Sequence, residues 1–252
     1  MRFELRPMGV GEILDRALRV YLLNLGGLLP IALVVLVPLA LIGLALGEAG
    51  QTEGSPSRAS KLAVVLGTSA TNLFGWTLLQ GSLIQAVSDV YLGNRAGVQT
   101  AFGRAFRRVL PMLGAALLMT IAIFVGFLLL IVPGILWLAA LSCVNAAVML
   151  ESRSVLGSFR RSRELTRGFR KKALLLIVLA SLIGWIWGAL VGAVSGWLDL
   201  GPASLTVLTH AANVFYAPFY AVVTILLYYD LRIRKEAFDL EVLAREMGGP
   251  VA

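Results

Sequence analysis

Apolar residues along this chain come in long blocks separated by short, basic, amphipathic segments. Six blocks stand out, at 26–47, 62–88, 109–131, 133–150, 173–197 and 203–229. A helix needs about 20 apolar residues to cross a hydrocarbon core, so each block predicts a membrane span. Only Val132-Pro133-Gly134 divides the third block from the fourth. Pro and Gly interrupt a helix without adding polarity, so a tight turn is expected there. The apolar stretch around it suits a hairpin of two crossings.

The segments before the hairpins have a different period. In the first, Val10, Ile13, Leu14, Ala17, Leu18, Tyr21 and Leu22 fall on one helical face, opposite Glu12, Asp15, Arg16 and Arg19. The second carries Val98, Ala101, Phe102, Ala105, Phe106, Val109 and Leu110, opposite Arg104, Arg107 and Arg108. A third, degenerate copy begins near Val155, with Phe159 and Ser162 inward and Arg160, Arg161 and Glu164 outward. Apolar positions at i, i+3, i+4 and i+7 mark a one-sided helix, and arginine on the polar face at a membrane edge predicts a helix lying in the interface. Arg16, Arg104 and Arg161 take the same place in all three.

The predicted fold is therefore an all-α integral membrane protein. Its six transmembrane helices form three repeats of amphipathic interfacial helix plus transmembrane hairpin, over 9–92, 97–150 and 154–230, with an amphipathic tail at 231–252. The arginines predict a basic collar that binds anionic lipid headgroups or an acidic partner, with Arg16, Arg19, Arg104, Arg107, Arg108, Arg160 and Arg161 as its residues. Plain topological signalling, with side chains snorkelling to the headgroups, explains the same pattern.

Composition agrees with membrane residence. The hydrophobic fraction is 58% and only 14% of residues are charged, where soluble domains carry about 25%. Mean hydropathy is +0.85. All but two of the 22 Lys and Arg lie in four segments: the N-terminal one, 93–108, 151–172 and the C-terminal tail. The exceptions, Arg58 and Lys61, sit in the opposite set of loops. The alternation matches six crossings, and the positive-inside rule assigns both ends to the cytoplasm. The first apolar run follows an amphipathic segment and lacks small-residue cleavage chemistry, so the first span is expected to stay in the mature protein.

Two stripes inside the spans stand out. Gly184, Gly188, Gly192 and Gly196 form a four-residue ladder in the fifth span, a smooth face for close helix approach. Contact within the chain is the default reading and a homodimer seam the alternative. In the sixth span, Thr206, His210, Asn213, Tyr216, Tyr220, Thr224 and Tyr228 step by three or four. Polar groups in hydrocarbon must be paired, so this face is expected to look inward. Ser69, Asn72, Trp76 and Gln80 in the second span and Ser142 and Asn145 in the fourth offer counterparts. Interhelical hydrogen bonding is one reading. A polar cleft lined by Asn72, Gln80, Asn145, His210, Asn213, Tyr216 and Tyr220 is the other.

Chemistry is sparse. One histidine and one cysteine cannot build a metal site, so no metal and no cofactor are expected. No phosphate-cradling loop, nucleophile elbow or His/Cys/carboxylate cluster occurs, so no enzyme is expected. Asp89 and Asp230 fall at span ends, where a carboxylate needs no special role. With no carboxylate near mid-membrane, ion-coupled transport lacks its usual charge carrier.

Several motifs in order resemble a known family: Leu5-Arg6-Pro7 leading into Gly11-Glu12-Ile13-Leu14-Asp15-Arg16, the turn Val132-Pro133-Gly134-Ile135, the segment Ser158 to Gly168, and the run Tyr228-Tyr229-Asp230-Leu231-Arg232 continuing to Glu241. The chain resembles the bacterial membrane-domain family named after glycerophosphoryl diester phosphodiesterase, and the YciC-like uncharacterised inner-membrane proteins. The resemblance implies a multi-pass bacterial inner-membrane protein. Some members carry a fused phosphodiesterase barrel, which is not expected here, since the paired histidines and acidic metal ligands of that enzyme do not occur in these residues. The expected function is a non-catalytic scaffold or accessory protein in envelope or lipid processes. Its partners are expected to be membrane lipids, a protein partner or further copies of itself, and not nucleic acid. A passive channel or small-solute or lipid transporter through the polar cleft is the alternative. A membrane subunit of a separate lipid phosphodiesterase is the third.

Overall fold

The structure is a computed structural model that describes residues 6–49, 58–94, 97–151 and 154–236. It is all-helical there, in the order α1 (Val10–Leu23), α2 (Leu25–Ala49), α3 (Arg58–Tyr91), α4 (Val98–Leu129), α5 (Ile131–Ala140), α6 (Val144–Leu150), α7 (Val155–Thr166), α8 (Arg170–Trp197) and α9 (Pro202–Glu236). Six stretches are long and apolar enough to cross a membrane: Leu25–Leu46, Lys61–Tyr91, Val98–Leu129, Ile131–Leu150, Arg170–Trp197 and Pro202–Glu236. The protein is a multi-pass helical membrane protein. The predicted tail beyond Glu236 lies outside the described residues.

Helix α9 is the centre of the bundle. Its most apolar stretch is 56% buried, against 17% for the corresponding stretches of α3, α4 and α8, and it packs on α1, α2, α3 and α8. Leu226, Leu227, Tyr228, Asp230 and Leu231 have no exposed surface. Spans α2, α3, α4 and α8 expose wide apolar faces, as a solvent of acyl chains allows.

The amphipathic segments take different forms. α1 buries Ile13, Ala17, Val20 and Tyr21 and joins α2 through Asn24. Its polar face carries an Asp15–Arg19 pair at 3.3 Å. The second segment is the first third of α4, which continues unbroken into its span through Pro111. α7 is a separate helix, and its N-cap Ser154 accepts a hydrogen bond from the Gly157 amide at 3.2 Å.

Two expectations about the fourth span are corrected. The α4–α5 turn is a single extended residue, Leu130, while Pro133 and Gly134 lie inside the first turn of α5. Proline is tolerated there because first-turn amides have no intrahelical partner to lose. Gly126 and Gly134 let the two legs meet: a Cβ on Gly126 would come within 3.0 Å of the Gly134 Cα. The span is also not one continuous helix. It breaks at Leu141–Cys143, and hydroxyls from α7 satisfy the opened backbone. Ser162 Oγ donates to Ala140 O at 2.7 Å and accepts from the Cys143 amide at 3.1 Å. Thr166 Oγ1 reaches the same carbonyl at 3.4 Å.

Candidate functional site

The chemistry concentrates at one end of the bundle, where α1, the start of α4, α7, the start of α8 and the last turns of α9 meet. Three junctions form there, two of them ionic clusters on α9 between Asp230 and Glu236 and the third an α3–α4 ion pair beside Tyr229.

The first ties down the N-terminal segment. Asp230 is completely buried. Its Oδ1 accepts the Met8 amide at 2.7 Å, and its Oδ2 accepts Arg234 Nε at 3.0 Å. Lys172 pairs with the same carboxylate. The Met8 carbonyl in turn accepts Lys172 Nζ at 2.6 Å and Arg234 at 2.8 Å. The expectation that Asp230 needs no special role is thus corrected: it is the acceptor that joins the N-terminus, α8 and α9. A buried carboxylate is tolerable only with this degree of pairing.

The second junction holds α7. Arg161 Nε donates to both Glu151 oxygens at 2.9 Å, and its guanidinium pairs with Glu236. Tyr228 donates to Glu151 Oε1 at 2.8 Å, and Arg232 to Glu236 at 3.0 Å. Burial would lower the Arg161 pKa, but hydrogen bonds to Glu236 and Glu151 outweigh it and hold the group above its ordinary value.

The third joins α3 to α4 and α9. Asp89 accepts from Gln85 at 3.0 Å and Arg104 at 3.4 Å. Next to it, the Ser88 and Tyr229 hydroxyls share a hydrogen bond at 2.6 Å, and Tyr91 stacks on Tyr229 at 5.2 Å.

The expected collar therefore divides. Arg16 is half-buried beside Tyr91, and Arg104 reaches Asp89. The Arg161 side chain is only 12% exposed. As an exposed headgroup contact Arg161 is corrected, since its charge is spent inside the protein. Arg19 and Arg160 pair along their own helices with Asp15 and Glu164. Arg107 is exposed and Arg108 half-buried on α4. Outside the original set, Arg163, Arg167 and Lys171 are exposed, and among the described residues no ion pair joins them or Arg107 to an acid.

The polar cleft residues also separate. Gln80, Asn145 and Tyr220, with Ser142 and Thr224, line one cavity of about 90 Å³ between α3, the broken fourth span and α9. Asn72, His210 and Asn213 do not join them. Asn72 and Asn213 donate to Thr68 O and Thr209 O at 2.9 and 3.0 Å, and His210 Nδ1 lies 2.9 Å from Thr206 O, each on its own helix. Tyr216 donates across to Ala180 O at 3.2 Å. Much of the stripe is thus satisfied within its own helix, a bonding pattern that spacing alone does not reveal.

The glycine ladder is used at one rung. A Cβ on Gly184 would run into the Tyr216 ring, whereas Gly188, Gly192 and Gly196 have nothing within 4 Å of that position. The default expectation of contact within the chain is corrected for these three.

Two larger cavities were not foreseen. One, of about 490 Å³, lies between α1, α8 and α9 among Leu14, Leu18, Trp187, Phe215 and Phe219. The other, of about 400 Å³, lies between α4, α5, α7 and α8. Among the described residues no cluster of His, Cys, Asp and Glu could hold a metal ion.

No family model matches the chain, and no solved structure matches it. The chain is similar to a UPF0259 membrane protein of Pectobacterium carotovorum, 31% identical over 96 residues. That match covers 38% of this chain and 38% of the relative, so well under half of the relative's length is spanned. The similarity supports a bacterial membrane protein of an uncharacterised family.

Proposed function

We propose that this protein is a non-catalytic scaffold or accessory component of the bacterial inner membrane, with both ends cytoplasmic, that holds anionic lipid headgroups at its basic end. The carrying observation is an imbalance of charge. Asp89, Glu151, Asp230 and Glu236 are drawn into internal junctions, while Arg107, Arg163, Arg167 and Lys171 stay exposed without an acidic partner among the described residues. A surface left with uncompensated cations at a membrane edge attracts an anionic leaflet, by about 1 kcal/mol per residue. The three repeats belong to this reading. Each amphipathic segment uses its matched arginine against a neighbouring element, which orients the helix and leaves later arginines for the lipid.

The channel reading receives less support. Its expected lining is divided between a cavity of about 90 Å³ and side chains bonded to their own helices. The test is native mass spectrometry of the full chain with phosphatidylglycerol and phosphatidylcholine, together with a C-terminal topology reporter. Preferential retention of phosphatidylglycerol, reduced in an Arg107→Gln/Arg167→Gln/Lys171→Gln variant, is expected. Equal retention of the two lipids by the wild type, or a periplasmic C-terminus, would sink the reading.

A further inference from the structure

We infer that the cavity between α4, α5, α7 and α8 is a discrete site for one anionic phospholipid, its phosphate held by Arg163 and Arg170 and an acyl chain lying along the apolar wall. This rests on the reading of the basic end given above and narrows it to one site.

Three observations meet at this place. The cavity holds about 400 Å³, and α4 and α5 give it a wall that includes Ala122, Leu136 and Trp137. That volume falls in the range of pockets that enclose small ligands. Two cations, Arg163 from α7 and Arg170 from α8, line the same cavity. Arg170 Nε is buried and has no hydrogen-bond partner, and among the described residues no acid pairs with either guanidinium. A buried donor left unmade is unfavourable, which points to a missing acceptor.

The third observation is the start of α8. This 28-residue helix begins at Arg170, and its N-cap, Phe169, supplies no side-chain hydrogen bond to the first-turn amides. Those amides and the helix dipole favour negative charge at the helix start, whose first residue is the cavity-lining Arg170. Two guanidiniums and an uncapped helix start suit a phosphate diester, and planar guanidinium forks match its oxygens. The apolar wall suits a chain of methylenes and would gain nothing from free phosphate. The cavity therefore selects an amphiphile. Nearby acids do not compete, since Glu164 is engaged by Arg160 and Glu151 by Arg161.

The test is native mass spectrometry of the full chain released from detergent, loaded with dioleoyl phosphatidylglycerol or dioleoyl phosphatidylcholine. The wild type should keep one tightly held phosphatidylglycerol above a looser set. Arg163→Gln/Arg170→Gln should lose that one, with affinity reduced by about tenfold, while keeping the looser set. Ala122→Phe, which narrows the cavity and leaves every charge in place, should lose it too. The Arg107→Gln/Arg167→Gln/Lys171→Gln variant should keep it. A tightly held lipid that survives in both the double variant and Ala122→Phe overturns the site and leaves the basic-end reading standing. Displacement by millimolar inorganic phosphate also overturns it, by making the site one for a free anion. A wild type without preference for phosphatidylglycerol overturns both.

Discussion

Met8 and Asp230, 222 residues apart in sequence, are joined by a hydrogen bond of 2.7 Å from the Met8 amide to Oδ1. The carboxylate that accepts it is completely buried and also binds Lys172 and Arg234. Asp230→Asn would leave two cations facing a neutral amide. Removing one member of a buried ionic cluster costs about 3–5 kcal/mol. A fall of several degrees in Tm in detergent is expected, with faster proteolysis ahead of α1. An unchanged Tm and digestion pattern would show that the junction does not secure the N-terminus.

Arg160 and Arg161 are sequence neighbours with opposite surroundings. Arg160 is 85% exposed, while Arg161 is 12% exposed and bridges Glu151 and Glu236. Arg161→Gln should destabilise by about 3 kcal/mol and Arg160→Gln by about 0.5 kcal/mol or less. Thermal melts of the two variants decide it, and equal losses would contradict the buried junction.

The pH dependence of the same residue has a definite sign. Its folded pKa is held above the ordinary value. The resulting stabilisation is therefore fully present below the unfolded arginine pKa, and is lost only at still higher pH. From about pH 6 to 9, far below the range in which a free guanidinium titrates, protonation of Arg161 should contribute no slope to the stability difference between wild type and Arg161→Gln. A difference that collapses by pH 9 would be incompatible with this.

Ser162 bridges the break in the fourth span. Ser162→Ala removes the donor to Ala140 O and the acceptor of the Cys143 amide, a loss of about 1–3 kcal/mol. Cys143 is buried and is the chain's one cysteine, so maleimide labelling reports on this place alone. Labelling of the Ser162→Ala variant should be faster than of wild type. An unchanged rate would mean the break is held without the hydroxyl.

The glycine ladder gives a contrast within one helix. Gly184→Leu must displace Tyr216 and should cost about 1–3 kcal/mol, as overpacking does. A Cβ at Gly192 meets nothing within 4 Å in the chain, so Gly192→Leu should leave the monomer's Tm nearly unchanged. Cross-linking of Gly192→Leu against wild type shows separately whether that face meets another copy.

The spans were legible because membrane crossing is set by length and composition, which are local properties of the sequence. Asp230 was not, because its partner is a backbone amide at the far end of the chain, and no residue type marks such an acceptor. The break at Leu141–Cys143 carries neither Pro nor Gly. Its only trace was the pair of hydroxyls at Ser162 and Thr166 on the inner face of α7, four residues apart. The ladder showed where a helix could approach closely, and spacing cannot say whether a neighbour is there. Gln80, Asn145 and Tyr220 do meet in one cavity, whereas Asn72, His210 and Asn213 are satisfied by carbonyls one turn back, an option open to any Asn or His in a helix.

The central position of α9 bears on how the protein is made. Its last turns supply Tyr228, Asp230, Arg234 and Glu236, the partners of groups on the N-terminal segment, at the end of α6, on α7 and at the start of α8. Every one of those groups leaves the ribosome before α9 does. Until it arrives, the earlier hairpins occupy the bilayer with Lys172 and the Met8 amide lacking their acceptor, as an unfinished assembly that chaperones or membrane proteases can recognise. A chain cut short before Tyr228 would therefore lose cohesion at both ends of the sequence at once, so the last helix serves as the step that completes assembly.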